Sequence, residues 1–388
     1  MTFDPAAATQ AYIDTLSAAE LQLARDYTAG NHWLILWGLL VSALVTWLIV
    51  RSGFLVRVEE ELDHRAWILR ALAVAAAFLI VDGLLSAPWS VYTDWWREGQ
   101  YGLTEQPLGD WLTQQVISLF INVIIGAFLL LGLYALLRKT GRWWWAWGGA
   151  LVAGAAAFLL LVAPMVIEPL FNDYQPIPEG EVRDGVLALA AQAGVTEDRV
   201  FMYDGSRQSE AFTANVSGVG SSARIAISDT ALGDTPLNEV LAVTGHEIGH
   251  FVSGHLWLML AVFSLLAAAV FWLTDRLYPW FARKFGTDAA ISDIRGVPVF
   301  AFLVGALLAL SQPVTNTMTR IGEIEADAYS LENVGLPDAL ASALLKTSEY
   351  RYPLAGPVEE ALLYTHPTVE NRIRRAMEWK AANQAASE

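Results

Sequence analysis

Long apolar runs separated by polar segments dominate the hydrophobic pattern of this chain. A helix that crosses the hydrocarbon core of a bilayer needs about 20 apolar residues. Runs close to or beyond that length lie at Trp33 to Val50, Ala66 to Ala87, Val116 to Leu137, Trp143 to Ile167, Leu256 to Thr274 and Gly296 to Thr319. Trp and Tyr gather at run ends, as is typical of a membrane interface. The pattern predicts six transmembrane helices.

Two polar segments, 168–255 and 320–388, lack the long apolar runs and instead show short helical or strand patterns of hydrophobic residues. The second predicts mostly helix, interrupted by prolines. The first changes between helical and alternating patterns, which indicates a small α+β unit. It predicts an amphipathic helix over Glu181–Ala193, a strand over Val200–Tyr203, a β-hairpin with strands over Thr213–Val219 and Ala223–Ile227, and a helix over Leu237–Ser253.

Composition supports the membrane assignment and narrows the chemistry. Charged residues make up 16% of the chain, against about 25% in a soluble domain. Cysteine is absent, so any metal must be held by His and carboxylate side chains. The net charge of −16 argues against nucleic acid as a partner and leaves the lipid bilayer as the surrounding medium. The N-terminus lacks a basic region before an apolar core, so we expect no cleavable signal peptide.

One motif in the first polar segment carries catalytic chemistry. His246-Glu247-Ile248-Gly249-His250 is an H-E-x-x-H pattern within a predicted helix. Residues i and i+4 share one helical face, so His246 and His250 can bind one zinc ion. Glu247 lies beside them as the general base that takes a proton from the attacking water. The motif predicts a zinc-dependent peptidase with one Zn²⁺ per chain.

A third protein ligand is expected on a different helix. His255 is one residue short of the register that a third histidine would need, so we interpret it as an outer partner or an interfacial residue. Glu323 and Asp327 are i and i+4 after the sixth apolar run. Glu323 is the predicted third ligand. Asp327 is predicted to orient a ligand imidazole, with an ordinary surface carboxylate as the alternative, and Glu325 is predicted to be a solvated charge.

These residues together resemble the type 1 CAAX prenyl protease family, multi-pass membrane zinc endopeptidases that cleave near the C-terminus of prenylated proteins. The resemblance is strongest from Ile167 onward. It rests on Gly245–His250, His255, Arg320-x-x-Glu323-x-x-Ala326-Asp327, Thr365-His366-Pro367 with Arg372-Ile373, Glu168–Asn172, Pro176–Gly180 and Ile227–Leu232.

The resemblance implies roles for further residues. His366 would lie near the oxyanion of the tetrahedral intermediate and Arg372 would support the same site; the alternatives are a loop residue and a plain salt bridge. The segment Thr213, Ala214, Asn215, Val216, Ser217 and Gly218 would bind substrate as an added strand. The family usually has an Asn where Thr213 stands, and it commonly has five spans before the zinc helix, where this chain has four.

The predicted fold is a predominantly α-helical multi-pass membrane protein, with about six transmembrane helices and a zincin-like α+β catalytic domain carrying a small β-hairpin or sheet. Four parts are predicted. They are 1–167 with four spans, 168–255 with the zinc helix, 256–319 with two spans, and 320–388 with Glu323 and His366.

The predicted function is that of a membrane-embedded zinc endopeptidase, which hydrolyses peptide bonds with zinc-activated water. Its substrates would be CAAX-like prenylated C-terminal peptides, or membrane proteins removed in quality control. A membrane scaffold or chaperone that keeps the zinc fold without turnover is the alternative, and the presence of Glu247 argues against it. A transporter would show inverted repeats and broken helices, which the pattern does not indicate.

The predicted location is a bacterial inner membrane or the endoplasmic reticulum membrane. Two arguments disagree about which side of that membrane the active site faces. Short loops rich in Lys and Arg mark the cytoplasm. Ten basic residues lie in the loops opposite the active site: Arg51, Arg57, Arg65, Arg138, Lys139, Arg142, Arg276, Arg283, Lys284 and Arg295. This count would place the zinc outside, whereas the resemblance implies a cytosolic site, which we favour.

Overall fold

A computed structural model describes residues 3–208, 212–218, 223–233, 235–346 and 351–387. Within these ranges the chain is mostly helical. The helices are α1 (Pro5–Ile13), α2 (Ala18–Ser52), α3 (Phe54–Glu61), α4 (Trp67–Ser90), α5 (Arg97–Gln100), α6 (Leu108–Lys139), α7 (Trp144–Val162), α8 (Glu181–Gln192), α9 (Leu237–Val252), α10 (His255–Phe285), α11 (Val297–Leu310), α12 (Gln312–Asn333), α13 (Pro337–Lys346), α14 (Pro357–Leu363) and α15 (Val369–Ser387).

Five continuous helical segments are long and apolar enough to cross a membrane. Among the described residues they are Ala18–Ser52, Trp67–Gln100, Leu108–Lys139, Gly141–Leu170 and His255–Phe285. They cover the first five predicted spans except Ala66, which caps the second, and each extends further. Their inward faces form one apolar core around Tyr134, Val297 and Leu303, each at most 1% exposed. Large apolar side chains such as Phe120 and Leu265 remain exposed on the outer face, as lipid-facing residues do. The predicted multi-pass helical fold is confirmed.

The sixth predicted span, Gly296–Thr319, is not one straight helix. It is divided between α11 and α12, which meet at a bend of 51°. Pro313 lies in the first turn of α12; it has no N–H to continue the ladder of α11, and its ring opposes an unbroken helix. The bend turns α12 out of the apolar core, so that one helix carries both the end of the apolar run and Glu323.

The α+β unit contains a four-stranded sheet in the order β1-β2-β4-β3. Its strands are β1 (Tyr174–Pro176), β2 (Val200–Tyr203), β3 (Ala214–Ser217) and β4 (Arg224–Ser228). The predicted hairpin is confirmed as the antiparallel β3–β4 pair, although its turn at Gly220-Ser221-Ser222 lies outside the described residues. The sequence reading missed β1, which is only three residues long. Strand β3 is at the edge of the sheet.

The N-terminal helix α1 packs against the C-terminal part of the chain. Ile13 lies in one buried cluster with Leu340, Ile373 and Met377, and the Tyr12 hydroxyl is 3.1 Å from Asp338 Oδ1. The N-terminus is therefore on the same side as the C-terminal helices. This agrees with an even number of membrane crossings between them.

Candidate active site

Two glycines of α9 allow it to approach α12 closely. A Cβ on Gly249 would lie 3.0 Å from Ala326 Cα and 3.1 Å from its carbonyl oxygen, nearer than most side-chain contacts. A Cβ on Gly245 would overlap Val334. The backbones therefore meet where α9 carries His246 and His250 and α12 carries Glu323.

Three side chains from these helices converge on one point. His246 Nε2 and His250 Nε2 are 3.2 Å apart. Glu323 Oε2 is 3.4 Å from His246 Nε2, and Oε1 is 3.3 Å from His250 Nε2. A tetrahedral zinc site with bonds of about 2.1 Å has ligand atoms about 3.4 Å apart. The donor set therefore fits a small tetrahedral metal ion, and Glu323 Oε2 is a buried atom without a hydrogen bond among the described residues.

His246 is held by a buried pair of charged residues. Its Nδ1 is 2.9 Å from Asp327 Oδ1, where Asp327 was predicted to lie. Arg372 binds the same carboxylate through two nitrogens, at 2.8 and 2.7 Å. Burial lowers the pKa of His246, but the adjacent carboxylates of Asp327 and Glu323 outweigh that effect and raise it to about 9. The same negative charge favours a bound cation.

Arg372 lies within this buried network. Its Nη2 is 3.3 Å from Glu323 Oε2 and its side chain is 8% exposed. These contacts suit a residue that positions Asp327 and Glu323. Its role toward an oxyanion stays a prediction.

His250 has a matching pair of partners. Its Nδ1 is 2.9 Å from His255 Nδ1, and His255 Nε2 is 2.9 Å from Glu325 Oε2. The interpretation of His255 as an outer partner agrees with this position. Glu325 is exposed, as expected of a solvated charge, and its carboxylate also pairs with the buried imidazole of His255, a contact that the sequence did not predict.

Glu247 faces a cavity of about 340 Å³ beside the three donors. No hydrogen bond to its carboxylate occurs among the described residues, so the group is free to exchange protons. Burial raises its pKa, and the nearby His246 and His250 oppose that shift. A carboxylate with a raised pKa is a better proton acceptor and later donor near neutral pH.

His366 contacts the same Glu323 oxygen as His250 does. Its Nε2 is 3.2 Å from Glu323 Oε1 and its Nδ1 is 2.9 Å from the Thr365 hydroxyl. Burial lowers its pKa, and the adjacent Glu323 carboxylate opposes that shift. His366 and Arg372 both line the cavity that Glu247 faces, as the resemblance implied.

The predicted substrate segment borders the same cavity. Thr213 and Ala214 are among its lining residues. The Thr213 hydroxyl bonds to Tyr203, so this side chain is already engaged. Phe212 and Arg351 also line the cavity. Sequence reasoning missed both, since neither belongs to a motif.

The fold and the donor set define a multi-pass membrane metalloprotease. The CAAX prenyl protease N-terminal family, described as five membrane helices, matches residues 5–173, where this chain has four of its long apolar helices. Peptidase family M48 matches residues 176–380. The chain therefore belongs to peptidase family M48, and its N-terminal part matches the CAAX prenyl proteases of that family.

Individual relatives extend over most of the chain. An uncharacterized metalloprotease of Bacillus subtilis is 26% identical over 93% of this chain and 86% of its own length. A CAAX prenyl protease 1 homolog of Arabidopsis thaliana is 26% identical over 87% of this chain and 80% of its own length. The crystal structure of Ste24p from S. mikatae has a TM-score of 0.75 at 21% identity, over 94% of this chain and 90% of that one, which supports the fold.

Proposed function

We propose that this chain is a zinc endopeptidase that hydrolyses peptide bonds at the membrane. The observation that carries the proposal is the convergence of His246, His250 and Glu323 next to the Glu247 carboxylate, which faces the same cavity. A zinc ion held by these three residues would polarise the scissile carbonyl and acidify the attacking water. One ion per chain is expected.

The chain's own residues supply the remaining steps. Glu247 accepts the proton of the attacking water and passes it to the leaving amine. His366 donates a hydrogen bond to the developing oxyanion. Asp327 accepts a hydrogen bond from the Nδ1–H of His246 and so keeps Nε2 free for the metal, while Arg372 holds Asp327 in place.

Strand β3 is proposed to bind the substrate main chain. The Ser228 N–H donates to the Thr213 carbonyl at 2.9 Å, so the polar groups of Thr213 face β4. Backbone groups alternate along an antiparallel strand. Those of Ala214 and Val216 therefore face the free edge, where an extended peptide can pair with them.

Val216→Pro is expected to lower kcat/KM by roughly 3–10-fold, the effect of one lost hydrogen bond. Proline removes the N–H of Val216 that faces the free edge but leaves the β3–β4 ladder intact. Val216→Ala, which keeps the N–H, is the matched control. Zinc content should be unchanged in both. Equal peptide cleavage by both variants would exclude β3 as the substrate strand.

The proposed substrate class is a short C-terminal segment next to a prenylated cysteine. Relatives from Arabidopsis thaliana and Saccharomyces cerevisiae are named CAAX prenyl proteases, and helix α9, which carries His246 and His250, is followed directly by the candidate membrane span α10. Purified protein in vesicles should cleave a farnesylated CAAX peptide, and faster than the same peptide with a free thiol. Cleavage of membrane-protein fragments without cleavage of the farnesylated peptide would point to quality control instead.

The active site is proposed to face the cytosol. Since α1 packs on the C-terminal helices, N-terminus, catalytic unit and C-terminus share that side. Alkaline phosphatase fused after Arg142 should be active, and a cytosolic reporter at Glu388 should be active. If alkaline phosphatase is active when fused at Glu388 and inactive when fused after Arg142, the active site faces away from the cytosol. That result would agree with the count of basic loop residues and overturn the assignment.

A further inference from the structure

We infer that His255 and Glu325 form a positioning pair that orients His250 for metal binding. This inference rests on the proposed zinc site and assigns a function to two residues outside the ligand set. The contacts run in one line from His250 through His255 to Glu325, at 2.9 Å each. His255 is 7% exposed, so water does not replace these contacts.

The direction of the hydrogen bonds follows from the ligand atom. If His250 binds metal through Nε2, its Nδ1 carries the proton and donates to His255 Nδ1. His255 then carries its own proton on Nε2 and donates it to Glu325 Oε2. All polar atoms in the line are used, and both rings are fixed in one tautomer.

Two glycines create this arrangement. Gly254, with φ of 70°, turns the chain between α9 and α10 so that His255 folds back toward His250. Gly322 leaves room for the imidazole against α12, since a Cβ there would lie 3.3 Å from His255 Nδ1. Gly322 and Glu325 are i and i+3 and share a helical face.

The result is that each ligand histidine has its own carboxylate anchor on α12. Asp327 holds His246 directly, whereas Glu325 holds His250 through His255. Glu323, the third proposed ligand, precedes both on the same helix. One rigid element therefore fixes the whole donor set, and movement of α12 would disturb all three ligands together.

The test measures zinc affinity by competition with a chromophoric chelator in purified full-length protein. Removing an outer partner of a metal ligand typically costs 10–100-fold in affinity, and His255→Phe and Glu325→Ala are each expected to show this loss. The double variant should be no weaker than the weaker single one, because both act through the same line. Glu332→Ala, an exposed carboxylate of the same helix, is the control and should bind as wild type.

A purely structural effect would not produce this pattern. The thermal stability of the metal-free variants should match wild type, and the visible spectrum of the Co²⁺-substituted protein should shift in His255→Phe and Glu325→Ala only. Wild-type affinity in both variants would overturn the inference and leave the proposed function standing. A wild type that binds no zinc would instead overturn the proposed function.

Discussion

Glu247→Gln is expected to abolish peptide hydrolysis while the protein keeps its zinc. The amide has nearly the same shape as the carboxylate but cannot accept a proton from water. Loss of a general base costs about 10²–10⁴-fold in rate. The Glu323 carboxylate also lines this cavity, but it is the proposed metal ligand and so does not replace Glu247 as the base. The measurement is kcat on a fluorogenic peptide together with zinc per chain by elemental analysis.

The Gln variant also separates the two functional alternatives. A scaffold or chaperone would keep its activity in Glu247→Gln, because the zinc fold is intact. A peptidase would not. Full peptidase activity in the variant would show that Glu247 is not the base.

Glu323→Ala is expected to remove zinc binding almost entirely. It deletes one of the three proposed protein ligands and leaves only His246 Nε2 and His250 Nε2 to bind the ion. It also removes the carboxylate that lies 3.3 Å from Arg372 Nη2. The expected loss exceeds the 10–100-fold that removal of an outer partner costs. Zinc content after dialysis against a weak chelator should fall to background.

The order of the losses identifies the ligand. Glu323→Ala should lose more affinity than Glu325→Ala, and both more than Glu332→Ala. Since Glu323 and Glu325 have the same charge and lie two residues apart, a general electrostatic effect would weaken binding equally. Retention of zinc by Glu323→Ala with loss in Glu325→Ala would reverse the ligand assignment.

Much of the site could be predicted from the sequence because helical spacing is local. The i, i+4 positions of His246 and His250, and of Glu323 and Asp327, place each pair on one face whatever the tertiary fold. The edge strand was also accessible, from its period of two.

Other features depend on contacts that spacing does not encode. The pairing of His255 with Glu325 joins residues of α10 and α12 that meet only after α9 turns at Gly254. The run that predicted a straight sixth span is uncharged throughout, and composition alone did not show that the helix bends where Pro313 begins α12. Arg351 and Phe212 reach the cavity from segments without a periodic pattern.

The central claim is that the donor set and Glu247 together perform proteolysis in the membrane. Mass spectrometry of new peptide termini in native membranes, comparing wild type with Glu247→Gln at equal expression, tests it most directly. The account predicts a defined set of cleavage sites in wild-type membranes that is absent from Glu247→Gln membranes. The same set of sites in both would contradict it.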